Sequence, residues 1–478
     1  MFDSYVAIVP IACVTLGGLA ATLAEAFRDP GERTQIGGLA IVGLVAAAVA
    51  AVLLWDRGAG SFGVVSADNF GLFVTLVLIV VGVLTVALSA QVIERDRIPQ
   101  GEYYAVTMFA IAGMMLMALA TDLLVMFIAL EILSVGVYVL TGMRRNARTS
   151  SEAAFKYFLL GAFSSAFFLY GIAFTFGVVG STRLDRIGVV MSGQTMAHGP
   201  LTYLALALLL VGFAFKVSAV PFHMWTPDAY EGAPAVVTGF MSAGVKAAAF
   251  AAFARVFLSA FGGLQPDWTP AVWLLSLVTM IVGTVAAVAQ TNVKRMLAYS
   301  SIAHAGYLLM AMAAGNEVGK GAILFYLLVY GLTSLGAFGV VALLGTRSRR
   351  NDDLGDFAGL GNREPVLAAV MTVFLLSLGG FPPTAGFVGK WYLFSAAVGA
   401  GDYGLAIVGV LTSVVSVFVY LRVVLMMYMA EPPEESLRVS PSRAAIAALV
   451  ASTMAILYLG MLPRWLLDLA AASIATIL

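Results

Sequence analysis

Six lysines stand in this chain of 478 residues, at positions 156, 216, 246, 294, 320 and 390, and at least three of them interrupt apolar runs. Lys216 sits in LALALLLVGFAFKVSAVPF, Lys246 in VVTGFMSAGVKAAAFAAFARVF and Lys390 in PPTAGFVGKWYLFSAAV. The polar loops use arginine instead: Arg144, Arg145 and Arg148 in one, Arg347, Arg349 and Arg350 in another. The division has a chemical meaning. Arginine stays protonated in proteins, whereas a buried lysine can lose its proton near neutral pH. A charge at bilayer depth costs roughly 2.5–3.5 kcal/mol on insertion scales, so its default reading is functional. Lysines in apolar spans point to groups that carry protons. Lys246 has no acid near it in sequence, which sets it apart from a structural ion pair.

The elements that must position these lysines are membrane spans. With 61% hydrophobic and 11% charged residues the chain departs from soluble domains, which run at about 25% charged. Its mean hydropathy is +0.98. A formal net charge of +0 offers no basic face to nucleic acid. The single cysteine, Cys13, excludes a disulfide framework, a CxxC pair and a cysteine-ligated iron–sulfur cluster carried by this chain alone. The start, MFDSYVAIVPIACVTLGG, lacks the basic stretch of a cleaved signal peptide and reads as the first span.

Apolar runs of about 20 residues cross a bilayer. They are expected near 5–24, 36–55, 70–93, 103–120, 122–142, 153–179, 200–222, 235–260, 270–290, 296–314, 320–345, 365–381, 404–428 and 443–462, about 14 in all. Short second halves follow the seventh and twelfth, near 226–233 and 385–400. The fold class is thus an all-α polytopic membrane protein, and the longest polar stretch, near 346–364, is read as a loop. Loops after odd-numbered spans carry Arg28 and Arg33, Arg95 and Arg97, Arg144 to Arg148, Lys294 and Arg295, and Arg347 to Arg350. Loops after even-numbered spans carry Arg57, Arg183, Arg186 and Lys320. The positive-inside rule then puts the odd loops in the cytoplasm and both termini outside.

Two segments break the run of plain helices. In FKVSAVPFHMWTPDAYEGAP, Pro221 and Pro227 interrupt the seventh span; in SLGGFPPTAGFVGKW, Gly379, Gly380, Pro382 and Pro383 interrupt the twelfth. Proline removes a backbone donor, and such breaks persist in a membrane only where protein or a water-filled cavity surrounds them. Matching breaks in two halves point to inverted repeats with the ion path at the breaks. Spans 4–8 and 9–13 are the expected units, each with a broken fourth helix. Five being odd, the second unit enters the membrane upside down. The expected divisions are 1–102, 103–262, 263–430 and 431–478.

PFHMWTPDAYEGAP (221–234), QTNVKRMLAYSSIAHAGYLL (290–309), GGFPPTAGFVGKWYLF (379–394) and LEILSVGVYVLTGMRR (130–145) resemble hallmark segments of the antiporter-like membrane subunits of respiratory complex I. Within that family the chain most resembles the N type. It has lysine in the second broken helix, where the M type has glutamate, and it lacks the long lateral helix of the L type. The resemblance implies that Glu131 on span 5 pairs with Lys216 and tunes it. It implies that Lys246 is the central proton carrier, Lys390 the exit-side carrier, and His304 a water-assisted bridge between two half-channels. Lys156 matches a family position and His223 lies in the first break; both are candidates for the path. The resemblance also implies that flavin mononucleotide, iron–sulfur clusters and quinone belong to partner subunits, and that this chain holds no cofactor and no metal. Its expected neighbours are the M-type subunit, the small K-type subunit and lipids, in a bacterial-type inner membrane.

Plainer roles stand beside these. Lys156 can snorkel to the interface. His223 can satisfy backbone groups freed by Pro221, His304 can be a packed core histidine, and Asp228 and Glu231 can cap the short helix of the break. Lys294 and Arg295 read as loop charges that set topology. Two other functions remain open, a subunit of a multi-subunit cation/proton antiporter and a structural subunit of a redox enzyme. Buried titratable groups are not what a scaffold needs.

Overall fold

In the computed structural model, residues 2–27, 36–193, 199–346, 352–432 and 441–477 are described. Arg28, Arg33, Arg347, Arg349, Arg350 and part of the 346–364 stretch lie outside them. A 3-10 stretch, Phe2–Ile8, runs into α1 (Val9–Ala26), followed by α2 (Ile36–Leu54). A two-stranded antiparallel hairpin, β1 (Ala59–Ser61) and β2 (Val65–Ala67), precedes α3 (Asn69–Arg95). Next come α4 (Gln100–Leu119), α5 (Leu123–Thr141), α6 (Arg148–Val179), the short α7 (Leu184–Met191) and α8 (Pro200–Lys216). The first break separates α8 from α9 (Trp225–Gly232). A continuous rod, Ala235–Ala260, contains α10 (Ala235–Phe240) and α11 (Lys246–Ala254), with π-helical turns at Met241–Val245 and Arg255–Ala260. Then follow α12 (Gln265–Val288), α13 (Val293–Ala314), α14 (Glu317–Leu344) and the single turn α15 (Leu360–Arg363). The second break separates α16 (Pro365–Gly379) from α17 (Ala385–Gly399), and α18 (Tyr403–Met429), α19 (Arg443–Met461) and α20 (Arg464–Ile474) complete the fold.

Among the described residues twelve helices are long and apolar enough to cross a membrane, and α8 and α16, which open the broken segments, are shorter apolar helices. The sequence expectation of about 14 counts each broken helix as one span. Sequence reasoning missed the hairpin, α7 and α20. All three are short, and the hairpin's strands have three residues each, too few for a period-2 pattern.

Burial sorts the helices into a centre and a rim. The Ala235–Ala260 rod is buried along its whole apolar window, α13 and α14 along 94% of theirs, whereas α1, α2, α6 and α18 bury a third or less. α14 is the hub, packing on α3, α10, α13, α16, α17, α19 and α20. Rim helices present Leu19, Val42, Phe163 and Val414 outward. An apolar exterior is a liability in water and the expected surface in lipid.

Helix ends leave backbone groups without partners in the helix, and side chains satisfy several of them here. Asp68, Asp122, Asn292 and Asn316 accept hydrogen bonds from first-turn amides of α3, α5, α13 and α14. Cations take the opposite ends, where orphan carbonyls and the helix dipole favour them. Arg95 donates to the carbonyls of Ala342 and Gly345 at the end of α14, and Arg422 to those of Val288 and Gln290 at the end of α12. Lys294 donates to the carbonyls of Glu231 and Ala233 at the end of α9, at 2.7 and 2.6 Å.

That last contact corrects the sequence reading. Lys294 and Arg295 are not loop charges: both belong to α13, and Lys294 is 2% exposed. The confinement of arginine to loops also fails. Arg255 is fully buried in the rod, bidentate to Asp68 at 2.5 and 2.7 Å, bonded to the Ala118 carbonyl, and 4.9 Å from the centre of the Phe70 ring. The capping aspartate of α3 thus also neutralises a charge that no apolar count could place.

Both breaks use one local geometry. Ser218 (φ 64°) and Gly380 (φ 81°) adopt left-handed conformations three residues before Pro221 and Pro383. The amides of Ser218 and Ala219 bond the carbonyls of Phe215 and Ala214; those of Gly380 and Phe381 bond Ser377 and Leu376. Freed groups find side chains: the Val220 amide donates to Thr279 Oγ1, and Trp225 Nε1 to the Phe215 carbonyl. α17 lies so close to the end of α16 that a Cβ on Gly386 would fall 1.9 Å from the Ser377 carbonyl oxygen.

Two stability outcomes follow. Asp68→Ala, which leaves the Arg255 guanidinium buried without its carboxylate, is expected to destabilise the protein by about 3–5 kcal/mol, read as a lower unfolding midpoint in detergent. Asp68→Asn together with Arg255→Met recovers part of that loss. Gly386→Ala, which forces α17 away from α16, is expected to cost about 1–3 kcal/mol, while Ala substitution at Gly38, which has open space, leaves the midpoint in place.

Candidate functional site

Lys216 is the last residue of α8, 4% exposed, so the first break leaves its ammonium at the end of a helix inside the protein. Its Nζ has no hydrogen-bond partner and lies 5.5 Å from the ring centres of both Tyr138 on α5 and Tyr157 on α6. Tyr157 stacks on Trp225 of α9 at 4.1 Å, which carries the aromatic wall across the break. Glu131 is two turns before Tyr138 on α5. One of its carboxylate oxygens is buried and unpaired. The expected ion pair does not close: the two tyrosine rings surround the ammonium where the carboxylate was expected.

Lys246 lies in the rod immediately after the π-helical turn Met241–Val245, 2% exposed. Its Nζ donates to the Ser301 carbonyl and, at 2.6 Å, to Ser301 Oγ on α13, with the Tyr330 ring centre of α14 at 5.2 Å. One turn earlier, Ser242 is bonded to Tyr330 at 2.9 Å and to Ser334 at 2.5 Å. The Tyr230 hydroxyl of α9 reaches the same group of hydroxyls at Ser242 and Ser301. The first break therefore points through Tyr230 toward Lys246.

His304 is 1% exposed, one turn after Ser300 and Ser301 on α13. Nδ1 is bonded to the Tyr326 hydroxyl at 2.5 Å and Nε2 to the Tyr420 hydroxyl at 3.2 Å. It stands one turn from Ser301, the partner of Lys246, and through Tyr420 meets α18, which carries Ser413, the partner of Lys390. A neutral imidazole offers one donor and one acceptor, the pair a relay requires.

Lys390 is 3% exposed on α17. Its Nζ donates to the Gly379 carbonyl at 3.2 Å and to Ser413 Oγ at 2.9 Å, over the Tyr307 ring at 5.2 Å. The Gly379 carbonyl is an orphan of the second break. Gly380 must be glycine twice over, since its φ is positive and a Cβ would lie 2.9 Å from Lys390 Cδ.

The structure brings Lys246, His304 and Lys390 into one interior, with Lys216 and Glu131 at its α5–α8 end. It leaves Lys156 outside that interior: the side chain is 45% exposed and paired with Glu152 and Asp228 at 2.9 Å each. Arg295 joins the cluster through Asp228 and Glu231, both at 2.8 Å, beside a cavity of about 150 Å³. Asp228 and Glu231 thus tie α9 to α6 and α13. His223 is half-buried in the first break, and its Nδ1 has no hydrogen-bond partner. Among the described residues no group of three or more His, Cys, Asp or Glu could hold a metal.

Sequence reasoning missed the hydroxyls. Tyr326, Tyr330 and Ser334 recur at i, i+4 and i+8 on α14, and Ser242 precedes Lys246 by one turn. That spacing puts them on one helix face, a signal present in the sequence but hidden because tyrosine and serine are ordinary in apolar helices.

The chain can be set beside known proteins. Residues 120–416 match the family model for the transmembrane region of NADH:quinone oxidoreductase and Mrp antiporters. The NADH-quinone oxidoreductase subunit N of Trichlorobacter lovleyi is 44% identical over 471 residues, covering 98% of this chain and 97% of that one. A chain of respiratory complex I from Thermus thermophilus superposes with a TM-score of 0.83 at 39% identity, over 97% of this chain and 99% of its own. A chain of the Mrp complex from Dietzia superposes equally well, TM-score 0.84, over 100% of this chain and 98% of its own, but at 22% identity, a likeness of fold alone. On these grounds the chain belongs to the antiporter-like membrane subunits of NADH-quinone oxidoreductase, in its subunit N family.

Proposed function

We propose that this chain moves protons across the membrane for an NADH–quinone oxidoreductase, through Glu131, Lys216, Lys246, His304 and Lys390, driven by quinone reduction in partner subunits. The observation that carries the reading is the setting of the lysines. Lys216, Lys246 and Lys390 are each buried against hydroxyls, carbonyls or tyrosine rings, and none is locked to a carboxylate. Glu131 supports the charged state of Lys216 from a distance; when that support weakens, Lys216 releases its proton toward Lys246 by way of the Tyr230–Ser242–Ser301 hydroxyls. His304 passes it on and Lys390 delivers it to the far side. The chain does no redox chemistry itself. Flavin mononucleotide, iron–sulfur clusters and quinone belong to the partners, among them the M-type and K-type neighbours, with lipids around the rim.

The path uses two inverted units, 103–262 and 263–430, flanked by 1–102 and 431–478. Local geometry supports this. The Leu123 and Leu184 amides bond the Thr182 and Thr121 carbonyls at the start of α5; the Val293 and Leu354 amides bond Asp352 and Thr291 at the start of α13. The breaks repeat in the same way. Both termini face outward in this reading, and the Lys156–Asp228–Arg295 cluster and His223 lie on the cytoplasmic approach. A cation/proton antiporter is the second reading, and the shared fold keeps it open; the 44% identity with a subunit N favours the first.

In the assembled complex, Lys246→Arg and Lys246→Met are expected to lower proton uptake per NADH oxidised in sealed vesicles. Guanidinium keeps the charge but does not release its proton. An assembled Lys246→Arg complex with an unchanged ratio would sink the carrier role. The tagged chain is expected to co-purify with flavin- and iron–sulfur-containing subunits; co-purification with small antiporter subunits alone would favour the second reading.

A further inference from the structure

Between His304 and Lys390 runs a stripe of hydroxyls that the lysine series does not include. On α18, Thr412, Ser413, Ser416 and Tyr420 share a face, at i, i+1, i+4 and i+8. Thr412, Ser416 and Tyr420 are buried there, while Leu411, Val414, Val415 and Phe418 of the same helix are exposed. At one end Ser413 Oγ accepts from Lys390 Nζ at 2.9 Å. At the other the Tyr420 hydroxyl is bonded to His304 Nε2 at 3.2 Å and to Ser300 Oγ at 2.5 Å.

The middle is polar too. The Tyr307 hydroxyl of α13 donates to Thr412 Oγ1 at 3.4 Å and lies against the hydroxyls of Thr284, Ser413 and Ser416. Ser416 Oγ donates to the Ser413 carbonyl at 2.6 Å, so its lone pairs remain open to a donor. Thr284 on α12 is 2% exposed, and its Oγ1 has no hydrogen-bond partner. Three helices thus place hydroxyls on one stretch, about 10 Å long at 1.5 Å per residue from Ser413 to Tyr420.

We infer that the proton passes from His304 to Lys390 along this stripe, with Tyr420, Ser416 and Ser413 as relay residues and Tyr307 and Thr284 completing the chain. Imidazolium Nε2 gives its proton to the Tyr420 oxygen as Tyr420 passes its own hydroxyl proton onward. Each serine accepts one proton and releases another. The Lys390 amine takes the last and becomes ammonium, leaving His304 neutral and every hydroxyl as it began. The Tyr420 hydroxyl is bonded to His304 and Ser300 and not to Ser416, so the step from Tyr420 to Ser416 takes bridging water.

The inference rests on the lysine-carrier reading, and the experiment separates the two. In sealed vesicles holding the assembled complex, protons taken up per NADH oxidised are compared for wild type, Lys246→Arg, Ser413→Ala/Ser416→Ala and Ser413→Thr/Ser416→Thr. The alanine pair is expected to show at least half the loss that Lys246→Arg produces, and the threonine pair, which keeps both hydroxyls, to retain the wild-type ratio. If Lys246→Arg loses nothing, the carrier reading falls and the stripe with it. If Lys246→Arg loses and the alanine pair does not, the stripe alone is overturned. A threonine pair as defective as the alanine pair assigns the effect to packing and also overturns it. If the alanine pair does not assemble, Ser416→Ala alone is read by the same criteria.

Discussion

Everything else in this fold serves the solvation of three buried ammonium groups by neutral oxygens and aromatic faces. Removing an ion from water costs several kcal/mol even after relaxation. A hydrogen bond to a charged group returns about 1.5–3 kcal/mol, and a cation over an aromatic ring about 0.5–2. Lys246 has the Ser301 carbonyl and hydroxyl and the Tyr330 ring; Lys390 has the Gly379 carbonyl, Ser413 and the Tyr307 ring. Such partners offset much of the cost without fixing the charge, whereas a carboxylate at contact would fix it. Arg255 shows the contrast within the same rod, held bidentate by the Asp68 carboxylate.

The frame follows from that need. Each lysine takes oxygens or aromatic rings from at least two other helices, and the rod that carries Lys246 sits at the centre with α13 and α14. The second break supplies Lys390 with the Gly379 carbonyl, while Lys246 takes the Ser301 carbonyl within α13. Each break needs a left-handed residue, and Gly380 doubles as the space into which Lys390 folds. At the helix ends, Arg95, Arg422 and Lys294 satisfy carbonyls that lipid could not.

The spans, both breaks and the lysine positions were legible in the sequence because each is a local signal: a run of apolar residues, a proline inside it, a cation where none belongs. The family resemblance rested on local motifs as well. What stayed hidden is non-local. Arg255 meets Asp68 across 187 positions, and an apolar window gives no sign of that partner. Lys294 looked like a loop charge because its partners are main-chain carbonyls of α9, which have no sequence identity. Glu131 and Lys216 looked like a pair because opposite charges in apolar spans are costly alone; Tyr138 and Tyr157, ordinary residues in sequence, stand around the ammonium instead.

The measurement that tests the account most directly is the position of ordered water in the assembled complex during turnover, at a resolution that resolves single molecules. The account predicts at least one state in which waters and hydroxyls link Lys216, Lys246, His304 and Lys390, with no gap wider than a hydrogen bond of about 3 Å. An apolar plug between Lys246 and His304 in every state would contradict it.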